Sequence, residues 1–204
     1  MHSIGKTRLE AFSDGVIAII ITIMVLELKV PHDTSPQALF ALLPIFLSYA
    51  LSFLVVAIIW VNHHHLVHTG DHVDGRILWL NNHLLFWLSL VPFTTGFMGE
   101  NHLAPLPVAL YGFVLFCSGM AFDLLRRTIA RQHLADAELS AVHRRSNRTN
   151  LVTAGLYLLS VPLAWVSVWI SVFIFLLVPA VYFMPGRTIE KLANRGEASE
   201  VAHE

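Results

Sequence analysis

The sequence predicts an all-α fold, a polytopic membrane protein with six transmembrane helices. Hydrophobic residues make up 55% of the 204 residues and charged residues only 13%, whereas a soluble domain carries about 25% charged residues. The mean hydropathy is +0.64. The chain also contains several uncharged stretches, each near or above the roughly 20 apolar residues that a spanning helix needs. These observations indicate that much of the surface faces lipid.

The predicted spans cover residues 7–28, 37–62, 77–98, 106–126, 151–166 and 168–184. The last two divide one uncharged run, residues 151–183, that is too long for a single span. We place a tight turn between them near residues 165–167. The six spans form a single domain, residues 1–204. It includes a basic cytoplasmic linker at 127–148 and a polar cytoplasmic tail at 187–204.

The basic residues test this arrangement, because cytoplasmic loops collect Lys and Arg. With six spans, Lys29 falls on one side and the other twelve Lys and Arg residues fall on the opposite side. A single span over 151–183 would move Arg187, Lys191 and Arg195 to the outside. The sequence therefore predicts a multi-pass protein of the cell membrane with both termini in the cytoplasm.

Several function classes are disfavoured by composition and motifs. The formal net charge of −1 gives no reason to expect a nucleic-acid partner. The lone cysteine, Cys117, excludes an internal disulfide framework. The sequence shows no nucleotide-binding glycine loop, nucleophile–base pair or paired catalytic carboxylates. We therefore expect neither an enzyme nor a bound cofactor.

The first predicted helix has two different faces. At about 100° per residue, Thr22, Ile23 and Leu26 lie within about 60° of Ile19, whereas Asp14 lies about 140° from it. An intramembrane carboxylate is costly unless it is paired or hydrogen-bonded. Asp14 is therefore expected to contact neighbouring helices rather than whatever the isoleucine stripe faces.

Polar side chains in the second and third predicted helices are available as partners for Asp14. The second helix ends in a cluster of tryptophan, asparagine and histidine, and the third carries an Asn-Asn-His triplet. The predicted structural network ties the first three helices together. Its members are Arg8, Ser13, Asp14, His64, Asn81, Asn82 and His83.

These residues carry a family resemblance. Arg8-x3-Phe12-Ser13-Asp14 resembles the RxxxFSD signature that begins the first helix of the transmembrane protein 175 family, the relatives of the lysosomal potassium channel. The resemblance extends over the six spans, Trp60 with the histidines after it, and the third helix leading to Val91-Pro92-Phe93.

The resemblance implies a potassium-permeable cation channel with passive flux. Six-helix members are expected to form homotetramers in membrane lipid, with four first helices around a central pore. By position after the signature, Ile19 would form the constriction, and Thr22, Ile23 and Leu26 would line the wall beyond it. Potassium would be the conducted ion.

Three further motifs leave alternatives open. Thr94 to Gly99 invites comparison with the TVGYG filter, but it follows a full-length span, so we expect an ordinary helix end. His64, His68 and His72 recur at a spacing able to bind a transition metal, which favours a His-dependent divalent-metal transporter of the plasma membrane as the alternative function. Glu27 is either an interface residue or part of a ring that concentrates cations at an outer mouth.

Overall fold

The computed structural model describes residues 5–70, 72–133 and 137–183, with side chains described for 5–70, 72–132 and 150–180. Within these ranges all regular secondary structure is helical. The helices are α1 Lys6–Leu26, α2 Pro36–Ala41, α3 Leu43–Thr69, α4 Gly75–Ser89, α5 Val91–Glu100, α6 Pro105–Ala130, the 3₁₀ helix η1 Arg131–His133, α7 Ala137–Val166 and α8 Val168–Phe183.

Four stretches in the described part of the chain are long and apolar enough to cross a membrane. They are Lys6–Leu26, Leu43–Thr69, Gly75–Glu100, which joins α4 and α5, and Pro105–Ala130. Two shorter apolar helices follow, Asn150–Val166 and Val168–Ala180. The described part of the chain is thus all-helical, with helices of the length and composition of membrane spans.

The second predicted span, 37–62, differs from the structure at both ends. Its start belongs to the short helix α2, in which the Ser35 hydroxyl accepts a hydrogen bond from the Ala38 amide at 3.3 Å. A new helix, α3, begins beyond it with a proline in its first turn, where the missing N–H costs nothing. The far end runs on to Thr69 because nothing in the histidine-rich stretch interrupts backbone hydrogen bonding. The histidines at 63, 64, 65 and 68 therefore all lie on α3.

The third predicted span, 77–98, is helical but interrupted. Its helix α4 starts at Gly75, where the Asp74 carboxylate accepts a hydrogen bond from the Ile77 amide at 2.8 Å. The helix breaks at Leu90, two residues before Pro92, because proline has no N–H to donate. Thr94 to Gly99 lies inside α5, with both threonines buried.

The last third of the chain contains longer helices than predicted. α6 extends four residues beyond the predicted end at 126. α7 runs without interruption from the predicted linker into the fifth predicted span, and Pro162 lies inside it. The break between the last two helices falls at Ser167. The predicted tail, 187–204, lies outside the described residues.

α6 is the central packing element. It contacts α3, α4, α5, α7 and α8, whereas α1 packs mainly against α3, α4 and α5. At Gly112 a Cβ atom would collide with the Ser160 hydroxyl and press on the ring of Phe175. Small residues permit such close helix approach in membranes. Glycine at 112 thus allows α6, α7 and α8 to meet.

A buried hydroxyl cluster joins three of these helices. Thr95 of α5 donates to the Ser52 hydroxyl at 2.7 Å, and Ser52 of α3 donates to the Tyr111 hydroxyl of α6 at 3.0 Å. All three side chains are buried. Polar groups inside a bilayer must find partners within the protein, so the cluster fixes α3, α5 and α6 relative to one another.

Candidate functional site

One face of α1 is packed into the subunit. Leu9, Ser13, Ile17, Ile20 and Met24 are all buried, and their spacing of three or four residues places them in one arc of the helix. This face meets α3, α4 and α5. The orientation of α1 within the subunit is therefore defined by its own apolar and hydroxyl side chains.

The opposite face of α1 is uncovered in the described part of the chain. Ile19 is 58% exposed, Ile23 42% and Leu26 76%, and Phe12 extends the same stripe. Thr22 is also exposed, and its hydroxyl donates to the Ile19 carbonyl oxygen at 2.9 Å. Contiguous exposed apolar side chains mark a surface that contacts lipid or protein. The structure thus brings all four predicted pore residues onto one free face.

Asn81 of α4 is the centre of a buried polar cluster behind α1. Its amide nitrogen donates to the Ser13 hydroxyl at 2.9 Å, and its carbonyl oxygen lies 2.7 Å from Nε2 of His63. All three residues are at most 1% exposed. A single asparagine therefore links α1, α3 and α4 through both ends of its amide group.

Asp14 lies beside this cluster rather than in it. Its carboxylate accepts a hydrogen bond from the Trp60 indole N–H at 2.8 Å, which gives α1 a second link to α3. Arg8 is exposed, and its side chain makes no hydrogen bond or ion pair with the described residues. The predicted place of Arg8 in the network is not found within one subunit, because about 120° of helix rotation separates Arg8 from Asp14.

Three other predicted members of the network also lie elsewhere. His63 occupies the position predicted for His64, because His63 shares the buried face of α3 with Ser52 and Val56. Asn82 and His83 are exposed, since each step along α4 turns the side chain by about 100° from Asn81. His83 instead accepts a hydrogen bond from Trp87 of its own helix at 2.9 Å.

The N-terminal turn of α1 is tied to the C-terminal end of α3. The Lys6 ammonium donates to the carbonyl oxygens of His68 at 2.6 Å and Gly70 at 3.1 Å, where a cation also complements the helix dipole. One turn further on, Glu10 lies 3.3 Å from Nδ1 of His68. The sequence analysis did not identify this link.

The histidine spacing does not produce a metal site. Among the described residues no three His, Cys, Asp or Glu side chains are grouped closely enough to hold a metal ion. The rings of His64 and His68 are adjacent, with centroids 4.8 Å apart. His72 lies beyond the end of α3 at Thr69, so the helical spacing that would have aligned it is lost. The part of the chain that the structure describes therefore offers no three-ligand group for the transporter alternative.

The far end of α1 packs against α5. The Glu27 carboxylate lies over Gly96, where a Cβ atom would come within 2.9 Å of its Oε2. Lys29 forms an ion pair with Glu100, and the hydrogen bond and charge of Glu100 raise the pKa of the Lys29 amine. Glu27 thus faces its own subunit, about 80° around the helix from Ile19.

A family profile and several known proteins match this sequence. The sequence profile described as "Endosomal/lysosomal potassium channel TMEM175" matches residues 8–92, which include both faces of α1 and Asn81. A protein from Chryseobacterium sp. (strain P1-3), named as a potassium channel, is 46% identical over 187 residues, which is 91% of this chain and 96% of that protein. The chain belongs to the TMEM175 family.

Two further comparisons agree with this TMEM175 assignment. A protein named as a potassium channel from Streptomyces collinus is 36% identical over 78% of this chain and 82% of its own length. The crystal structure of a lysosomal potassium-selective channel TMEM175 homolog from Chamaesiphon minutus superposes with a TM-score of 0.76 at 29% identity, covering 88% of this chain and 96% of that one. The resemblance inferred from the sequence is confirmed, and TMEM175 proteins are channels, not enzymes.

The structure places His63 in the polar cluster, where the sequence analysis expected its neighbour His64. His63 follows Ser52 by eleven residues and Val56 by seven, which places all three on one face of a helix. Both of those earlier residues are buried. Because α3 is apolar nearly all round, its sequence alone does not show which of its faces is buried.

Proposed function

We propose that this TMEM175 chain is one subunit of a homotetrameric potassium channel of the plasma membrane. Four α1 helices surround a central pore, Ile19 forms its narrowest point, and Thr22, Ile23 and Leu26 line the wall beyond. The observation that carries this proposal is the uncovered apolar face of α1 opposite its buried face. In a symmetric assembly, the four copies of this face can meet around the central axis.

The chemistry of the stripe suits a narrow potassium pore. Four branched side chains at Ile19 leave little room for a hydrated ion, and hydrophobic constrictions gate by dewetting. An ion that passes must shed much of its water, which penalises the more strongly hydrated sodium relative to potassium. The Thr22 hydroxyl donates to a backbone carbonyl, so its oxygen lone pairs remain able to contact a passing cation.

The polar cluster has a supporting role in this proposal. A pore radius depends on how far each α1 helix stands from the axis and how it is rotated. The hydrogen bonds of Asn81 and of Trp60 connect α1 to α4 and α3 on the side away from the stripe. Residues locked in this way hold functional side chains in a fixed geometry.

The proposed topology has six spans with both termini in the cytoplasm. The two shorter apolar helices, Asn150–Val166 and Val168–Ala180, serve as the fifth and sixth spans. Support comes from the basic residues, twelve of thirteen on one side.

Cysteine accessibility tests this topology in a Cys117→Ser background. A membrane-impermeant maleimide applied to intact cells should label Asn101→Cys, in the loop between α5 and α6, and should leave Arg144→Cys unlabelled until the cells are opened. Both variants should retain wild-type expression. The reverse labelling pattern would overturn the orientation and, with it, the assignment of the outer end of α1.

Potassium flux from liposomes is the direct test of the channel proposal. The purified protein should elute as an assembly of four chains in detergent, measured by light scattering with correction for bound detergent. In vesicles loaded with potassium it should carry an electrogenic efflux that protein-free vesicles lack. A monomer or dimer without electrogenic flux would contradict the proposal.

A further inference from the structure

The last turn of α3 ends in carbonyl oxygens that need partners from outside the helix, because the final C=O groups of an α-helix have no backbone N–H within reach. The Val67 carbonyl accepts the Gly70 amide at 3.2 Å. The carbonyl oxygens of His68 and Gly70 both accept hydrogen bonds from the Lys6 ammonium of α1, at 2.6 and 3.1 Å. One half-buried lysine thus caps α3 with a side chain that belongs to the proposed pore helix.

The loop that follows α3 is also held from the side of α6. The Gln132 side-chain amide, just beyond the end of α6, donates to the His72 carbonyl oxygen at 3.0 Å. A Cβ atom at Gly70 would meet the side chain of Ile129 on α6 at 3.4 Å, which is ordinary contact. The acceptors of Lys6 therefore lie in a segment that α6, the central packing element, keeps in place. Through that segment Lys6 connects the cytoplasmic end of α1 to the centre of the subunit.

Lys6 is the main attachment of the first turn of α1. Among residues 5–8 it alone is not exposed, and it lies about 140° around the helix from Ile19, on the side away from the proposed pore. The neighbouring contact of Glu10 with His68 is longer, 3.3 Å, and the histidine side chain is 61% exposed, so it holds α1 less firmly. The position of the first turn therefore depends on the Lys6 hydrogen bonds.

We propose that Lys6 is a positioning residue of the pore, which fixes the tilt of α1 by fastening its first turn to the end of α3. This role rests on the proposed function, in which Ile19 faces the tetramer axis. Ser13, which accepts a hydrogen bond from Asn81 at 2.9 Å, lies about 10 Å along α1 from Lys6 and about 9 Å from Ile19. A tilt about this bond moves Lys6 and Ile19 by similar distances in opposite directions. With Lys6 held against α3, Ile19 stays at one distance from the axis.

Lys6→Met tests this proposal, because it keeps an unbranched apolar side chain and removes the charge and the donors. Hydrogen exchange of the reconstituted protein, read by mass spectrometry, should be about fivefold faster in peptides covering residues 66–74, which corresponds to about 1 kcal/mol for a cation at a helix C-terminus. In bilayer recordings the same variant should show a lower potassium-to-sodium permeability ratio and several conductance levels, since Ile19 is no longer held at one distance. Lys6→Arg keeps the charge and N–H donors, so both measurements should stay near those of the wild type.

Arg76→Met is the matched control. Arg76 lies at the cytoplasmic end of α4, is exposed, and its side chain makes no hydrogen bond or ion pair with the described residues. Its replacement removes the same charge from the same side of the membrane and should change neither measurement, and all variants should elute as the wild type does.

Three results would overturn the proposal. Unchanged exchange in Lys6→Met would show that the lysine does not hold α1, and faster exchange with an unchanged permeability ratio would show that the link does not position the pore. The third is a Lys6→Arg protein that behaves as Lys6→Met does. A wild-type protein without flux would contradict the channel function alone, and the exchange rates would still decide whether Lys6 fastens α1 to α3.

Discussion

Replacing Ile19 by asparagine is expected to raise the potassium current and to weaken discrimination against sodium. Ile19 is 58% exposed at the centre of the uncovered face of α1. An amide at this ring would let water remain in the constriction, so ions would pass with more of their hydration shell. A barrier lowered by about 1.4 kcal/mol corresponds to a roughly tenfold larger current. Bilayer recordings of single-channel conductance and of the potassium-to-sodium permeability ratio measure both effects.

The matched control for this substitution is Val25→Asn. Val25 is an apolar α1 residue that is 45% exposed, but it lies about 120° around the helix from Ile19. The same amide there should change neither conductance nor the permeability ratio, provided that both variants assemble as the wild type does. If Ile19→Asn carries the same current as the wild type and has the same potassium-to-sodium permeability ratio, the constriction lies elsewhere on the chain.

The two faces of α1 could be predicted from the sequence because they depend only on helical periodicity. The rotation of about 100° per residue is enough to show that Ile19 and Asp14 point in different directions, and no other helix is needed for that calculation. The motif from Arg8 to Asp14 then supplied the family. Partners of these residues were harder to predict, because they depend on the rotation of α3 and α4 as well. Of four predicted partners in α3 and α4, the buried cluster contains only Asn81.

Helix ends and contacts among several helices could not be predicted from local sequence pattern. The histidine-rich stretch was expected to end a span at residue 62, but histidine breaks no backbone hydrogen bond, and α3 continues to Thr69. The hydroxyl cluster of Ser52, Thr95 and Tyr111 needs three helices in defined positions. Such features follow from tertiary packing, which no window of sequence contains.

The structure changes which polar residue is expected to cost the most stability when it is replaced. From sequence, Asp14 was the strongest candidate, since breaking a buried ion pair costs about 3–5 kcal/mol. In the structure Asp14 is half-buried and bonds the neutral Trp60 indole. Its loss should therefore cost about 1.5–3 kcal/mol at most, the range for a hydrogen bond to a charged group. Asn81, fully buried with two partners, becomes the residue with the larger expected effect.

Asn81→Ala is expected to destabilise the assembled protein more than any other single change in the polar cluster. The substitution removes both ends of the amide at once, so His63 loses its 2.7 Å hydrogen bond to Asn81, and the Ser13 hydroxyl keeps only its bond to the Leu9 carbonyl. His63, left buried without its partner, costs about 1–3 kcal/mol, and the lost hydrogen bond to Ser13 adds about 0.5–1.5 kcal/mol. The bilayer offers no water to replace the amide, whereas water or lipid headgroups reach the half-exposed Asp14, so the Asn81 substitution has the larger effect.

The neighbouring residue provides a control of identical chemistry for Asn81→Ala. Asn82 is exposed, and its replacement by alanine should leave stability near that of the wild type. Thermal unfolding in detergent, followed by the loss of the tetramer peak, compares the two variants, and liposome flux reports whether the surviving assembly still conducts. Asn81→Ala should dissociate at a clearly lower temperature than Asn82→Ala, with Asp14→Ala between them. If Asn81→Ala and Asn82→Ala dissociate together, the amide does not hold α1 in place, and the packed apolar face of α1 alone fixes the pore helix.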